Sequence, residues 1–80
     1  MTLPLNYAKP GEHLRIVWIA SEPRTKLQLA QAGFIPGETL SCVQRPSRGG
    51  MGAYRIQNSV IAIRRERANE IFVEIPNRKN

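Results

Sequence analysis

The side chains that could bind a transition metal, or act as a nucleophile or a base, are few in this sequence. One histidine (His13), one cysteine (Cys42) and six glutamates are spread along 80 residues that include no aspartate. A transition-metal site typically combines about four such ligands, and acid–base catalysis needs partnered groups of the same kinds. We therefore predict no enzyme activity and no cofactor. Glu12 and His13 are the weak candidates for a metal site, which would bind weakly or be shared between two subunits.

The glycine-rich segment Gly49-Gly50-Met51-Gly52 is a second feature with possible chemistry, because glycine loops can cradle phosphates. It lacks the spacing of the dinucleotide-binding fingerprint, and it lacks the lysine and hydroxyl residue that end a P-loop. A strand is expected to follow it, where both phosphate motifs require a helix. We interpret the segment as the tip of a hairpin loop.

Arginines are concentrated in the second half of the chain. The net charge of the chain is +6, and the window 45–67 holds six arginines and one acid, Glu66, which leaves +5 within it. Such an excess suits an anionic partner, which could be nucleic acid, phospholipid headgroups or an acidic protein surface. The alternative is that scattered arginines simply keep a small protein soluble.

Short β-strands are expected to position these residues. Proline and glycine pairs at 10–11, 36–37 and 49–50 divide the chain into short pieces, as turn residues do. The runs between them are rich in β-branched and aromatic residues, which predicts five strands. These strands cover residues 13–20, 40–45, 54–57, 60–63 and 72–75. Asn58-Ser59 is predicted to be the tight turn of a hairpin.

One helix and one helical turn interrupt the strand pattern. A helix is predicted from Pro23 to residue 32, with Ser21 as a candidate cap and with Leu27, Leu29 and Ala32 on its apolar side. Gly33 is placed to end this helix with a left-handed conformation. A shorter helical turn is predicted at residues 64–70, with Ala68 and Ile71 facing inward.

Five strands in so short a chain bury a common face best by forming a partly closed barrel. We predict a mainly β fold in a single domain over residues 1–75, followed by a flexible tail at residues 76–80. The segment before Pro10 has no signal-peptide pattern, and the longest apolar runs are far shorter than a membrane span of about 20 residues. We therefore expect a cytoplasmic protein that does not insert into the membrane.

The aromatic residues are assigned mainly to the core. Trp18, Phe34 and Phe72 are predicted to build it, with Tyr54 half-buried on a strand. Cys42 lies in the middle of a strand and is expected to be a small core side chain. The alternative is that Trp18 or Tyr54 forms an exposed stacking surface for nucleic acid.

The order of turn residues in this chain resembles the FeoA family. Gly11 precedes the first predicted strand, and Leu29, Gly33, Pro36 and Gly37 are similar in spacing to that family's signature. A second run of motif residues resembles the pattern at the end of the family's sequences. Its members are Ala62, Arg64 and Ala68. The resemblance covers essentially the whole chain. It departs from the common pattern at residues 47–52, where many relatives carry a compact turn with proline.

The resemblance implies an SH3-like barrel with one inserted helix, in a bacterial accessory protein of ferrous iron transport. Members of the family are thought to bind and modulate FeoB, the membrane GTPase-permease for ferrous iron. The chain would then meet the inner membrane through that partner. The resemblance also implies transition-metal binding, which is attributed to the family. The same fold occurs as a domain of iron-dependent repressors. Whether this chain forms a homo-oligomer is left open.

The predicted partner-binding residues come from the arginine-rich half of the chain. The loop at residues 46–53 is expected to expose Arg48 and Met51, and Arg55 and Arg64 add positive charge nearby. Arginine pairs with carboxylates through two hydrogen bonds, and methionine adapts to apolar pockets. Two other functions are kept as alternatives. One is a basic nucleic-acid-binding module with strong salt dependence, and the other is a transition-metal-binding regulatory domain.

Overall fold

A computed structural model describes residues 1–76 as one six-stranded antiparallel sheet with two α-helices and one 3-10 turn. Apart from Pro76, which is exposed, the predicted tail lies outside the described residues. The strands and helices follow in chain order as β1 Thr2–Pro4, the 3-10 turn Leu5–Tyr7, β2 His13–Ile19, α1 Pro23–Gln31, β3 Thr39–Gln44, β4 Met51–Ile56, β5 Ser59–Arg64, α2 Arg65–Ala68 and β6 Ile71–Glu74.

The sheet is open, because the two strands at its ends each pair on one side only. Its order is β1-β6-β2-β3-β4-β5, which leaves β1 and β5 as edge strands. The predicted mainly β fold with an inserted helix and a short helical turn before the last strand is confirmed. Six strands form where about five were expected. The additional strand, Thr2–Pro4, has no alternating pattern of its own and is ordered by pairing with β6.

The helix α1 ends as its sequence predicts. Gly33 has a φ of +104°, and the backbone N–H of Phe34 donates to the carbonyl of Leu29 at 2.9 Å. The start of α1 differs from the prediction, because Glu22 occupies the cap position and Ser21 makes no cap hydrogen bond. Leu29 is buried as expected, whereas Leu27 is 63% exposed.

The turn between β4 and β5 lies one residue earlier than predicted. Gln57 and Asn58 both have positive φ values, +50° and +68°, and Ser59 is already the first residue of β5. Two-residue hairpin turns favour positive φ at both central residues, because the twist of that turn matches the twist of the flanking strands. Glutamine is unusual at such a position, so the residue types alone do not indicate a turn that begins at Gln57.

The core prediction is right for Phe34 and Cys42 and wrong for the other aromatic residues. Phe34 and Tyr54 are fully buried, so Tyr54 is not half-exposed as expected. Trp18 is 49% exposed and stacks on the half-buried Phe72, with ring centroids 4.5 Å apart and the planes 3° from parallel. The pairing of β2 with β6 shifts register between Ile16 and Trp18. This bulge breaks the inward–outward alternation and turns Trp18 away from the core.

Candidate partner-binding surface

The hairpin of β4 and β5 brings together three of the four residues that were predicted to bind a partner. Met51 pairs with Arg64, and Arg55 pairs with Val60. Side chains alternate along a strand, so these four lie on one side, opposite the buried Tyr54. We call this surface the hairpin face, and its six residues are Met51, Ala53, Arg55, Val60, Ala62 and Arg64.

Met51 lies in a different element from the one predicted. It begins β4, so the loop between β3 and β4 covers only residues 45–50. Its side chain is 46% exposed, and Val60 on the same face is 50% exposed. The hairpin face therefore combines apolar contact area with the two arginines, Arg55 and Arg64.

Arg55 and Arg64 carry the positive charge of this face. The ion pairs between side chains of residues 1–76 are Arg15 with Glu74 and Arg67 with Glu70, so neither arginine of the face is among them. The face itself contains no acidic residue. Both guanidinium groups are on exposed residues and are available to carboxylates from another molecule.

A groove of about 310 Å³ lies beside the hairpin face, between α1 and β5. Its lining combines apolar residues with two arginines and comprises Thr25, Gln28, Leu29, Ala32, Met51, Ala62, Ile63, Arg64 and Arg67. Arg67 is held at one end of the groove by its ion pair with Glu70 at 2.8 Å. The Ser21 hydroxyl and the Arg67 guanidinium both hydrogen-bond Glu70, and together they hold the pKa of Glu70 below its usual value.

Arg48 is not part of the hairpin face. It lines a separate depression of about 530 Å³, whose lining also includes Arg65, Glu66 and Glu70. Asn6 also lines this depression, and its buried Oδ1 has no hydrogen-bond partner within residues 1–76. The sequence predicted Arg48 and Met51 as one site, but the structure separates them.

Trp18 is exposed, which the leading core prediction excluded and only the alternative of a stacking surface allowed. Trp18 borders an apolar depression of about 360 Å³, together with Lys26, Phe34, Ile35 and Pro36. The bulge between β2 and β6 exposes Trp18, whereas Val17 already faces outward by the ordinary alternation of the strand.

The residues of the recognised motif mainly set the turn geometry. Gly11 and Gly37 have φ values of +91° and +97°. The Gly37 N–H donates to the carbonyl of Ile16 at 2.8 Å, which fixes the segment after α1 against β2. Pro36 is exposed beside it. The two motif alanines differ, because Ala68 is fully buried while Ala62 is exposed on the hairpin face.

The weak metal candidates, Glu12 and His13, lie where β2 begins. Glu12 Oε1 accepts a hydrogen bond of 2.8 Å from the Lys9 backbone N–H, and His13 is exposed opposite Ser41. Over residues 1–76 no three histidine, cysteine or acidic side chains are grouped so that they could hold a metal ion. Cys42 is buried, and burial raises the pKa of its thiol. Within the same residues, no helix is long and apolar enough to cross a membrane.

Comparisons with known proteins agree with this fold. The family model for the FeoA domain matches residues 3–75. A crystal structure of an iron uptake regulatory protein (FeoA) superimposes with a TM-score of 0.85 at 23% identity, covering 92% of this chain and 97% of the other. Iron(II) transport protein A from Clostridium thermocellum gives 0.83 at 30% identity, covering 91% of this chain and 45% of the other.

The fold also occurs in a larger regulator. A manganese-dependent transcriptional repressor superimposes with a TM-score of 0.81 at 19% identity, and the match covers 90% of this chain but 40% of the repressor. No curated protein matches the sequence. Since the family model spans nearly all of the described residues, the chain belongs to the FeoA family, which is associated with ferrous iron transport.

Proposed function

We propose that this chain is a non-catalytic accessory protein that binds and modulates a FeoB-type ferrous iron permease from the cytoplasmic side. The observation that carries the proposal is the grouping of Met51, Arg55 and Arg64 on one exposed face without any acid. Complementary charge speeds association and selects partners, and methionine adapts to uneven apolar surfaces. Such a face suits an acidic protein surface better than it suits a small molecule.

Ferrous iron uptake in cells tests this role. In a strain that lacks the protein, the natural chain should restore uptake, and a variant with Arg55→Glu and Arg64→Glu should not. A control with Lys9→Glu and Arg24→Glu changes the net charge equally, at exposed residues outside the hairpin face and its groove. We expect the control to restore uptake. Full restoration by the Arg55 and Arg64 variant would contradict the proposal.

A further inference from the structure

The outer edge of β5 carries backbone groups that meet no other strand within residues 1–76. The β4–β5 ladder starts at a two-residue turn, and beyond β5 the Arg65 N–H donates to the carbonyl of Gly50 at 3.0 Å. Hydrogen-bonded and non-hydrogen-bonded pairs alternate along an antiparallel ladder. The N–H and C=O groups of Val60, Ala62 and Arg64 therefore point away from β4, toward the groove beside α1.

This edge has few of the features by which proteins protect their edge strands. Such protection uses proline, charged side chains, bulges, very short strands or a helix that covers the edge. Of these, β5 carries one charged side chain, Arg64 at its end, and the groove separates β5 from α1. β5 is six residues long, contains no proline and pairs with β4 without a register shift. Its exposed positions include the apolar Val60 and the small Ala62. The edge is therefore open to pairing with another extended chain.

The surroundings of the edge specify which kind of chain fits. A strand added beside β5 would place alternate side chains on opposite sides. One set would enter the groove against Leu29, Ala32 and Ile63, where apolar side chains fit. The other set would lie on the hairpin face beside Arg55 and Arg64, where acidic side chains find cations without competing acids.

We propose that β5 binds its protein partner by strand addition, taking up an extended segment in which apolar and acidic residues alternate. This inference rests on the proposed function and identifies the kind of segment that the hairpin face recognises. Main-chain hydrogen bonds supply affinity in this mode, and the alternating side chains supply specificity. The added segment becomes a seventh strand next to β5.

Amide hydrogen exchange of the whole chain tests the geometry, with a capped nine-residue peptide of alternating valine and glutamate as the probe. Saturation with the peptide should slow exchange at Val60, Ala62 and Arg64 by about tenfold or more. Exchange at Ile61 and Ile63 should change little, because their N–H groups already bond β4. Binding of the peptide without this alternation of slowed and unchanged amides would overturn strand addition. Concentration-dependent protection of the same amides without peptide would also overturn it, since the occupant would then be a second copy.

Two matched pairs of variants separate the backbone contribution from the charge contribution. Ala62→Pro removes an outward N–H at an edge position, where proline is tolerated, and should weaken peptide binding about tenfold. Ala62→Thr keeps the N–H and should bind like the natural chain. Arg64→Glu should weaken binding about tenfold, while Arg64→Lys keeps most of it. Equal affinity of the Ala62→Pro and Ala62→Thr variants, both shown to be folded, would overturn the proposal.

The same exchange experiment with the permease's cytoplasmic region distinguishes this inference from the proposed function. Protection at Val60, Ala62 and Arg64 on binding that region supports both. Binding that leaves these amides unprotected overturns strand addition and keeps the proposed function. No binding of the region, together with protection by the peptide, overturns the proposed function and keeps the edge as a docking strand.

Discussion

Ser21 Oγ donates a hydrogen bond of 2.6 Å to Oε1 of Glu70, a residue 49 positions later in the chain. This contact ties the segment before α1 to the turn before β6, and the Ala20 N–H supports it by donating to the Glu70 carbonyl at 2.8 Å. Arg67 donates to the same carboxylate oxygen at 2.8 Å. The bonds made to Glu70 thus fix both the start of the inserted helix and Arg67 at the end of the groove.

Replacing Ser21 with alanine should make stability less sensitive to acid. The Ser21 hydroxyl and then Arg67 lower the pKa of Glu70 in the folded state. The stability that these two hydrogen bonds add is therefore present above the pKa that Glu70 has in the unfolded chain, and it is lost as the pH falls through the lower pKa that Glu70 has in the folded state. In Ser21→Ala the pKa of Glu70 should rise toward its ordinary value, and unfolding at neutral pH should become easier by about 1 kcal/mol. Carboxyl titration by NMR measures the pKa of Glu70, and denaturant unfolding at several pH values measures the free energy of unfolding. An unchanged pKa of Glu70 would contradict this account.

Substitution of Gly33 should be more damaging than substitution of Gly37, although both have positive φ. A Cβ at Gly33 would lie 3.2 Å from Cδ of Gln57, whereas a Cβ at Gly37 would meet no heavy atom within 4 Å. Gly37→Ala should destabilise by about 1 kcal/mol through its backbone conformation alone. Gly33→Val should destabilise by clearly more than about 1 kcal/mol, because a β-branched side chain adds crowding. Equal urea midpoints for the two matched alanine variants, Gly33→Ala and Gly37→Ala, would show that the contact of the added Cβ with Gln57 has no effect.

Tyr54→Phe should leave the protein as stable as before or slightly more stable. The Tyr54 hydroxyl is buried and has no hydrogen-bond partner within residues 1–76, so its removal eliminates an unsatisfied polar group. Burial raises the pKa of Tyr54 to about 12. The part of the stability that depends on the neutral phenol should therefore be present below the unfolded pKa near 10, decline above it, and be lost as the pH rises through about 12. The phenylalanine variant should lack this alkaline loss. A destabilisation of about 1 kcal/mol at neutral pH would reveal a partner for the hydroxyl.

Metal titration should find no tight, stoichiometric site in the monomer. His13 is exposed on β2, while Cys42 is buried and donates toward the Ala8 carbonyl at an Sγ–O distance of 3.7 Å. Anaerobic calorimetry with ferrous iron and with zinc measures the stoichiometry. One metal per chain bound with sub-micromolar affinity would contradict the prediction. A His13→Ala variant would then test whether that histidine is a ligand.

The parts of the fold that sequence predicts well are those set by local backbone chemistry. Gly33, Pro36 and Gly37 mark the end of α1 because few other residues accept these conformations. Trp18 was misplaced because a bulge depends on the register of two distant strands. Ser21 matches the local pattern of a helix cap, yet its hydroxyl bonds Glu70 across the fold.

The candidate site could be predicted only in part for the same reason. The excess of arginines was visible in the sequence, but their distribution between two surfaces depends on strand register. The turn at Gln57 and Asn58 sets Met51 opposite Arg64. The loop before β4 instead directs Arg48 to a separate depression. A one-residue change in that register would have put Arg55 and Arg64 on opposite sides of the hairpin.

Titration of the purified chain with the cytoplasmic region of its FeoB-type permease is the most direct test of the central claim. The natural chain should bind, and Arg55→Glu with Arg64→Glu should weaken the affinity by at least about tenfold. The free energy of unfolding of that variant should change by less than about 0.5 kcal/mol, because both residues are exposed. The Lys9→Glu and Arg24→Glu control should bind like the natural chain. Equal affinity of the folded Arg55 and Arg64 variant and the natural chain would contradict the assignment of the hairpin face as the partner-binding surface.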